Sequence, residues 1–171
     1  TEAEWEYACK AGTETAYSFG DEKGELSKHS WHLGNSRFKY QKIGQKPANP
    51  WGLHDMHGNV WEWVLDQYAP PAESVLKGLT ENPLVAPNTL YPRVVKGGSW
   101  DDGSAKHRSA ARMGSNEAWK QQDPQIPKSV WYHTDAIFVG FRLVRPKEIP
   151  TLSDIEKFWP SEEDIKAIPS R

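Results

Sequence analysis

Cysteine is nearly absent. The 171 residues contain one, Cys9, so no internal disulfide can form and the redox compartment stays open. No apolar run approaches the roughly 20 residues of a membrane-spanning helix. A charge excess is lacking too: 21 basic and 23 acidic residues leave a formal charge of −2. With no five or six like charges together, nucleic acid and an anionic membrane are both disfavoured as the main partner. Neither an internal repeat nor a low-complexity tract occurs. What is abundant is tryptophan, nine residues, alongside thirteen glycines and thirteen prolines. That mixture implies irregular chain held by large side chains, hence a loop-rich domain with an aromatic interior.

The clearest helix begins the chain at "TEAEWEYACKAG", where Thr1 and Glu4 form a capping box. Trp5, Ala8 and Cys9 share one helical face, and Gly12 is expected to close the helix in a left-handed conformation. Cys9 reads as a small core residue rather than a nucleophile. Residues 13 to 50 read as loops and short strands. "GNVWEWVLDQY" alternates Val60, Glu62, Val64 and Asp66 against Trp61, Trp63 and Leu65, a strand signature with the two tryptophans as anchors. A proline-rich excursion covers residues 69 to 92. "RVVKGGSW" is a strand broken by Gly97 and Gly98, which mark a bulge or a close backbone approach. "RSAARMG" reads as a strand or short helix, with Arg108 and Arg112 turned inward only if partnered. A second insert spans 116 to 135, and "FVGFRLV" closes the domain as a strand centred on Gly140. Beyond it, Ser153 with Glu156 and Ser161 with Asp164 look like helix starts, separated by Pro160 and Pro169. The organisation expected is a domain over 1 to 146 and an arm with short helices over 147 to 171.

The segment "GLHDMHGNVWEW", Gly52 to Trp63, combines glycines at fixed points with Asp55, Asn59 and Glu62. A loop gripping a hard cation uses all of these. A tight turn hydrogen-bonded by Asp55 and Asn59 uses them equally.

Taken in order, "TEAEWEYA", "GLHDMHGNVWEW", "RVVKGGSW", "RSAAR" and "GFRLVRP" resemble the formylglycine-generating enzyme family, or sulfatase-modifying-factor domain, across about 145 of the 171 residues. The resemblance implies an α+β fold of low regular secondary structure, related to the C-type lectin fold. It also implies that the family's amino-terminal portion is missing ahead of Thr1, where the chain shows neither an initiator Met nor a signal peptide. Calcium is the expected cofactor. Its ligands would be the side chain of Asp55 and the backbone carbonyls of Met56, Gly58 and Val60, with Glu62 or water completing the shell. Asn35 and Ser36 match part of a second family calcium site, but no acidic residue lies between Asn35 and Asp55, so this site is expected to be weak or lost. Calcium binding would suit an extracytoplasmic setting.

The family's oxidase activity depends on two cysteines between "GGS" and "AAR" that bind copper and convert a substrate cysteine to formylglycine. Soft thiolates favour cuprous ion, which explains the requirement. The corresponding stretch, "GGSWDDGSAKHRSAAR", has none. Copper is therefore not expected. Asp101, Asp102, Ser104, Lys106 and His107 stand there instead, either as a solvated loop or as a weak candidate metal or acid–base site, with His133 and Asp135 as further candidates. The expectation is a calcium-stabilised pseudoenzyme that binds a protein, peptide or glycan; non-enzymatic family branches include parts of bacterial secretion and gliding machinery. The alternative is an iron-, zinc- or copper-dependent oxidoreductase whose missing groups are supplied upstream. Iron-dependent sulfoxide synthases are relatives, but draw their histidines largely from an added helical domain.

Overall fold

A computed structural model describes residues 1–69, 83–120, 136–149 and 151–153. Helix α1 (Glu2–Lys10) starts as its capping box requires, with the Thr1 hydroxyl accepting from Glu4 N and the Glu4 side chain returning to the cap. It ends one residue earlier than expected. Ala11, not Gly12, takes the left-handed cap (φ 48°), and Gly12 follows at φ 88°. Residues 13 to 50 contain helix rather than strand: a single 3-10 turn (Lys23–Glu25) runs into α2 (Leu26–His29), and Tyr17 and Gly20 make an isolated bridge.

Four strands form one sheet in the order β3-β2-β1-β4: β1 (Trp61–Gln67), β2 (Arg93–Lys96), β3 (Arg112–Gly114) and β4 (Val139–Gly140). β2 lies antiparallel to β1, pairing Glu62 with Lys96 and Trp63 with Val95, with an irregularity between Trp63 and Gln67. β3 continues antiparallel on β2, while β4 joins β1 in parallel and pairs Trp61 with Val139. "RSAARMG" thus supplies a strand. "FVGFRLV" supplies only two strand residues, and Phe141, Leu143 and Val144 beyond them stand exposed.

The alternation in β1 holds from Glu62 to Asp66, with its faces inverted relative to simple polarity, while both ends of the strand are buried on either side. Glu62 and Asp66 are buried, whereas Trp63 and Leu65 are exposed. Helix α1 explains this. Its Trp5 and Cys9 pack on Met56, with Ala8, Leu53 and Val64 around them, and its polar groups then meet the buried carboxylates. Trp5 Nε1 donates to Glu62 at 2.7 Å, and the Glu2 amide donates to Asp66 at 2.6 Å, where a carboxylate complements the positive helix start. Lys96, fully buried on β2, reaches Glu6 at 3.1 Å and Glu2 at 3.4 Å. Trp61 is buried as an anchor should be. Trp63 is not; it lies edge-on to Trp119 with ring centres 5.6 Å apart.

Among the described residues the buried polar side chains outnumber the buried apolar ones, fourteen to eleven. A core of this kind holds together only if those polar groups find partners. Lys96 does, through Glu6 and Glu2; the half-buried Arg112 donates from Nη1 to Ala69 O at 2.8 Å and from Nη2 to Glu2 at 2.7 Å but leaves its Nε unpartnered, and Arg108 stays exposed. No helix among the described residues is long and apolar enough to cross a membrane. Of the expected arm, 147–149 and 151–153 are exposed; Glu156, Pro160, Ser161, Asp164 and Pro169 lie outside the described residues.

Candidate functional site

Between α1 and β1 the chain turns through left-handed conformations at Asp55 (φ 57°), Gly58 (φ 110°) and Asn59 (φ 68°). Gly58 is obligatory for two reasons. Its φ excludes most side chains, and a Cβ there would lie 2.2 Å from Ser30 Oγ, 2.4 Å from Trp31 O and 2.8 Å from the His107 ring. Asn59 ties the turn in four directions. Its amide donates to Trp31 O at 2.9 Å, its carbonyl accepts from Trp100 N at 2.8 Å, and its side chain holds both the amide (2.8 Å) and the carbonyl (3.1 Å) of Gln41.

His57, at the centre of the motif, was not singled out by sequence reasoning. The His107 carbonyl, which can only accept, lies 2.7 Å from Nδ1, so Nδ1 carries the hydrogen. Nε2 then accepts from the Ser18 amide at 3.0 Å and from its hydroxyl at 2.9 Å. Burial pulls the His57 pKa down to about 4, against the opposing bond to the His107 carbonyl. The ring is a neutral strut between three loops. Its flanking Met56 and Gly58 were the available signal, a histidine between an apolar side chain and an obligatory glycine.

Asp55 and the carbonyls of Met56, Gly58 and Val60 are hard oxygens on one turn, the donor class calcium takes, and the Met56 carbonyl also faces the Cys9 thiol at 3.6 Å. Asp55 also receives the Gly44 amide at 2.7 Å. Glu62 is engaged elsewhere. It accepts from Arg142 Nε at 2.5 Å, Arg142 Nη2 at 2.7 Å and Trp5 at 2.7 Å, so its charge is already matched. Asn35 and Ser36, the candidates for a second ion, already have partners in the chain. Asn35 accepts from His32 N at 2.8 Å and donates to Ser30 O at 2.9 Å, and the Ser36 carbonyl accepts from Gln41 Nε2 at 2.6 Å. Among the described residues no three His, Cys, Asp or Glu converge as a metal site.

The stretch from Ser99 to Arg112 separates its candidates. Asp101 is exposed, but Asp102 is buried and accepts from Trp61 Nε1 at 2.7 Å, Ser99 N at 3.1 Å and Ser99 Oγ at 2.5 Å. Its other oxygen pairs with Lys106 at 2.7 Å. Burial raises the Asp102 pKa, yet the bonds from Lys106 and Ser99, the Lys106 charge and the Trp61 bond together hold it below its ordinary value. His107 is fully buried, and Nδ1 faces Gly103 O at 3.0 Å. Its ring closes over Gly98, where a Cβ would lie 2.9 Å from Lys106 O and 3.2 Å from the ring. The close approach expected at Gly97 and Gly98 is therefore made to Trp5 and His107 respectively. His133 and Asp135 lie outside the described residues.

Cys9 is equally closed. Its thiol faces Met56 O at 3.6 Å, and burial pushes its pKa up to about 12. Beside it a cleft of about 300 Å³ is lined by Phe19, His29, Leu53 and His57 among others. Two more lining residues, Ser18 and Asn49, already hydrogen-bond within the chain.

A capped helix on a small mixed sheet, joined by long hydrogen-bonded loops with a polar interior, defines a loop-rich α+β domain. Residues 1–147 match the model of the sulfatase-modifying factor enzyme 1-like domain, and the chain belongs to that family. It is 40% identical over 84 residues to a formylglycine-generating enzyme of Mycobacterium tuberculosis, covering 41% of this chain and 27% of that protein. It is 30% identical over 135 residues to the inactive Cα-formylglycine-generating enzyme 2 of Mus musculus, covering 67% and 37%. The chain thus spans well under half the length of these relatives. Among solved structures, the Treponema denticola variable protein 1 matches with a TM-score of 0.56 and 30% identity, over 68% of this chain and 41% of that one.

Proposed function

We propose that this chain is a member of the family without formylglycine-generating activity, a calcium-stabilised domain that acts as a binding or scaffold module for a protein, peptide or glycan. One observation carries the reading. Between Ser99 and Arg112, where the family's oxidase keeps its two thiols, the chain has no cysteine, and Asp102 and His107 are built into the buried framework. Cuprous chemistry needs accessible thiolates, and the single thiol, Cys9, is fully buried and resists ionisation. Similarity to a mouse protein named as inactive supports the same reading.

Calcium would be held by Asp55 and the carbonyls of Met56, Gly58 and Val60, and would supply the positive charge that fixes this turn. Asn59, His57 and Gly58 do the rest by bonding the turn to its neighbours. Elemental analysis of purified protein tests the reading. One equivalent of calcium with no transition metal agrees with it, and stoichiometric iron, zinc or copper contradicts it.

A further inference from the structure

The loop from Arg37 to Ile43, "RFKYQKI", carries exposed apolar area that folding does not explain. Phe38 is 75% exposed, Tyr40 62% and Ile43 78%, three large apolar side chains within six residues. Arg37, Lys39 and Lys42 alternate with them. None of these three cations forms an ion pair among the described residues, and no acidic residue occurs between Asn35 and Asp55. On a chain of net charge −2 this is a local concentration of positive charge next to exposed apolar area.

The loop is also held in a costly shape. Arg37 and Phe38 are consecutive left-handed residues, φ 58° and 56°, and neither is Gly, Asn or Asp. The structure around them enforces that shape. Asn59 grips Gln41 at both main-chain groups, Gln41 Nε2 donates to Ser36 O at 2.6 Å, and Asp55 receives Gly44 N beneath the loop. Strain retained on a surface loop by surrounding bonds points to a use for that shape. A fluid lipid face or a flexible polyanion rewards charge but no fixed side-chain geometry. A partner read side chain by side chain rewards both.

We propose that Arg37–Ile43 is a docking surface for an acidic protein segment carrying aromatic or apolar side chains. Arg37, Lys39 and Lys42 meet its carboxylates, and Phe38, Tyr40 and Ile43 cover its apolar groups. The proposal rests on the reading of the chain as a binding module, and names the surface and the partner's chemistry.

The test titrates the full chain with a glutamate–tyrosine copolymer, with polyglutamate, heparin and phosphatidylserine vesicles as competitors. The copolymer should bind best and lose affinity as salt rises. Phe38→Ala and the pair Lys39→Glu with Lys42→Glu should each weaken binding about tenfold or more. All three positions are exposed, so circular dichroism and Tm of the variants should match the parent. No copolymer binding, binding untouched by these variants, or tighter binding of heparin or vesicles would overturn the proposal. Wild-type binding that survives the loop variants would sink the docking surface and leave the module reading standing. Formylglycine production by the chain would instead sink the module reading on which the docking surface rests.

Discussion

Two irregular segments of this molecule use left-handed backbone to opposite ends. In the corner from Asp55 to Glu62, the left-handed residues Gly58 and Asn59 turn polar groups inward, and Trp31, Gln41 and Trp100 satisfy them. In the loop from Arg37 to Ile43, the left-handed residues hold apolar side chains out in water. Apart from Trp61 and Glu62, which open β1, both lack regular secondary structure, so regularity does not separate framework from function here. Satisfaction does: the corner's polar groups are partnered, whereas the loop's charges and apolar groups face solvent.

The sharpest way to break this comparison is substitution at the left-handed positions. Gly58→Ala puts a Cβ 2.2 Å from Ser30 Oγ and 2.4 Å from a backbone carbonyl, and should cost more than about 4 kcal/mol, read as loss of cooperative unfolding or of soluble protein. A Gly58→Ala protein with a parental Tm would remove the corner's claim to be framework.

His57 gives the next largest effect. Its pKa is about 4 in the fold and 6.5 as a free group, so between these values the unfolded chain binds a proton that the native one refuses. Stability from this group is full above pH 6.5 and is lost as pH falls towards 4, on the order of 3 kcal/mol in all. Unfolding free energies from denaturant titrations at pH 7 and pH 4.5 should differ by about 2 kcal/mol from this group in the parent and by much less in His57→Asn. Equal slopes in the two proteins would show that the imidazole is not the sensor.

Removal of calcium sharpens the comparison from another side. At calcium a hundredfold above its Kd, the ion should add ~2.7 kcal/mol, so chelation should lower Tm in the parent and do nothing in Asp55→Ala. The smallest effect belongs to the loop. Arg37→Gly relieves a left-handed arginine and should leave stability unchanged or raised, within about 1 kcal/mol. A larger loss would make that loop part of the framework.

Much of the fold was legible in the sequence because its signals were local. The capping box of α1, the alternation of β1 and the glycine pair after β2 each depend on neighbours within a few positions, and each appears. What was misread depends on distant partners. Trp63 looked like an anchor, yet the α1-facing side of β1 belongs to Glu62 and Asp66, whose burial requires Trp5, Arg142 and the Glu2 amide from far along the chain. "FVGFRLV" looked like a full strand, but only Val139 and Gly140 pair with β1.

The site was legible to a similar degree. The glycine-rich corner announces itself by composition, and the missing thiols by simple inspection. The fates of Asp101, Asp102 and His107 did not. Adjacent carboxylates that read as one acidic pair part company because Trp61 and Ser99 wait for only one of them. His57 escaped notice because its partners, Ser18 and His107, lie 39 and 50 residues away.

The central claim is that this family domain has lost the oxidase and kept the framework. It is tested most directly by incubating the full chain with cuprous ion, oxygen and a cysteine-containing sulfatase peptide, and following the peptide by mass spectrometry. The account predicts that the peptide's cysteine remains intact. Catalytic conversion of that cysteine to formylglycine would contradict it.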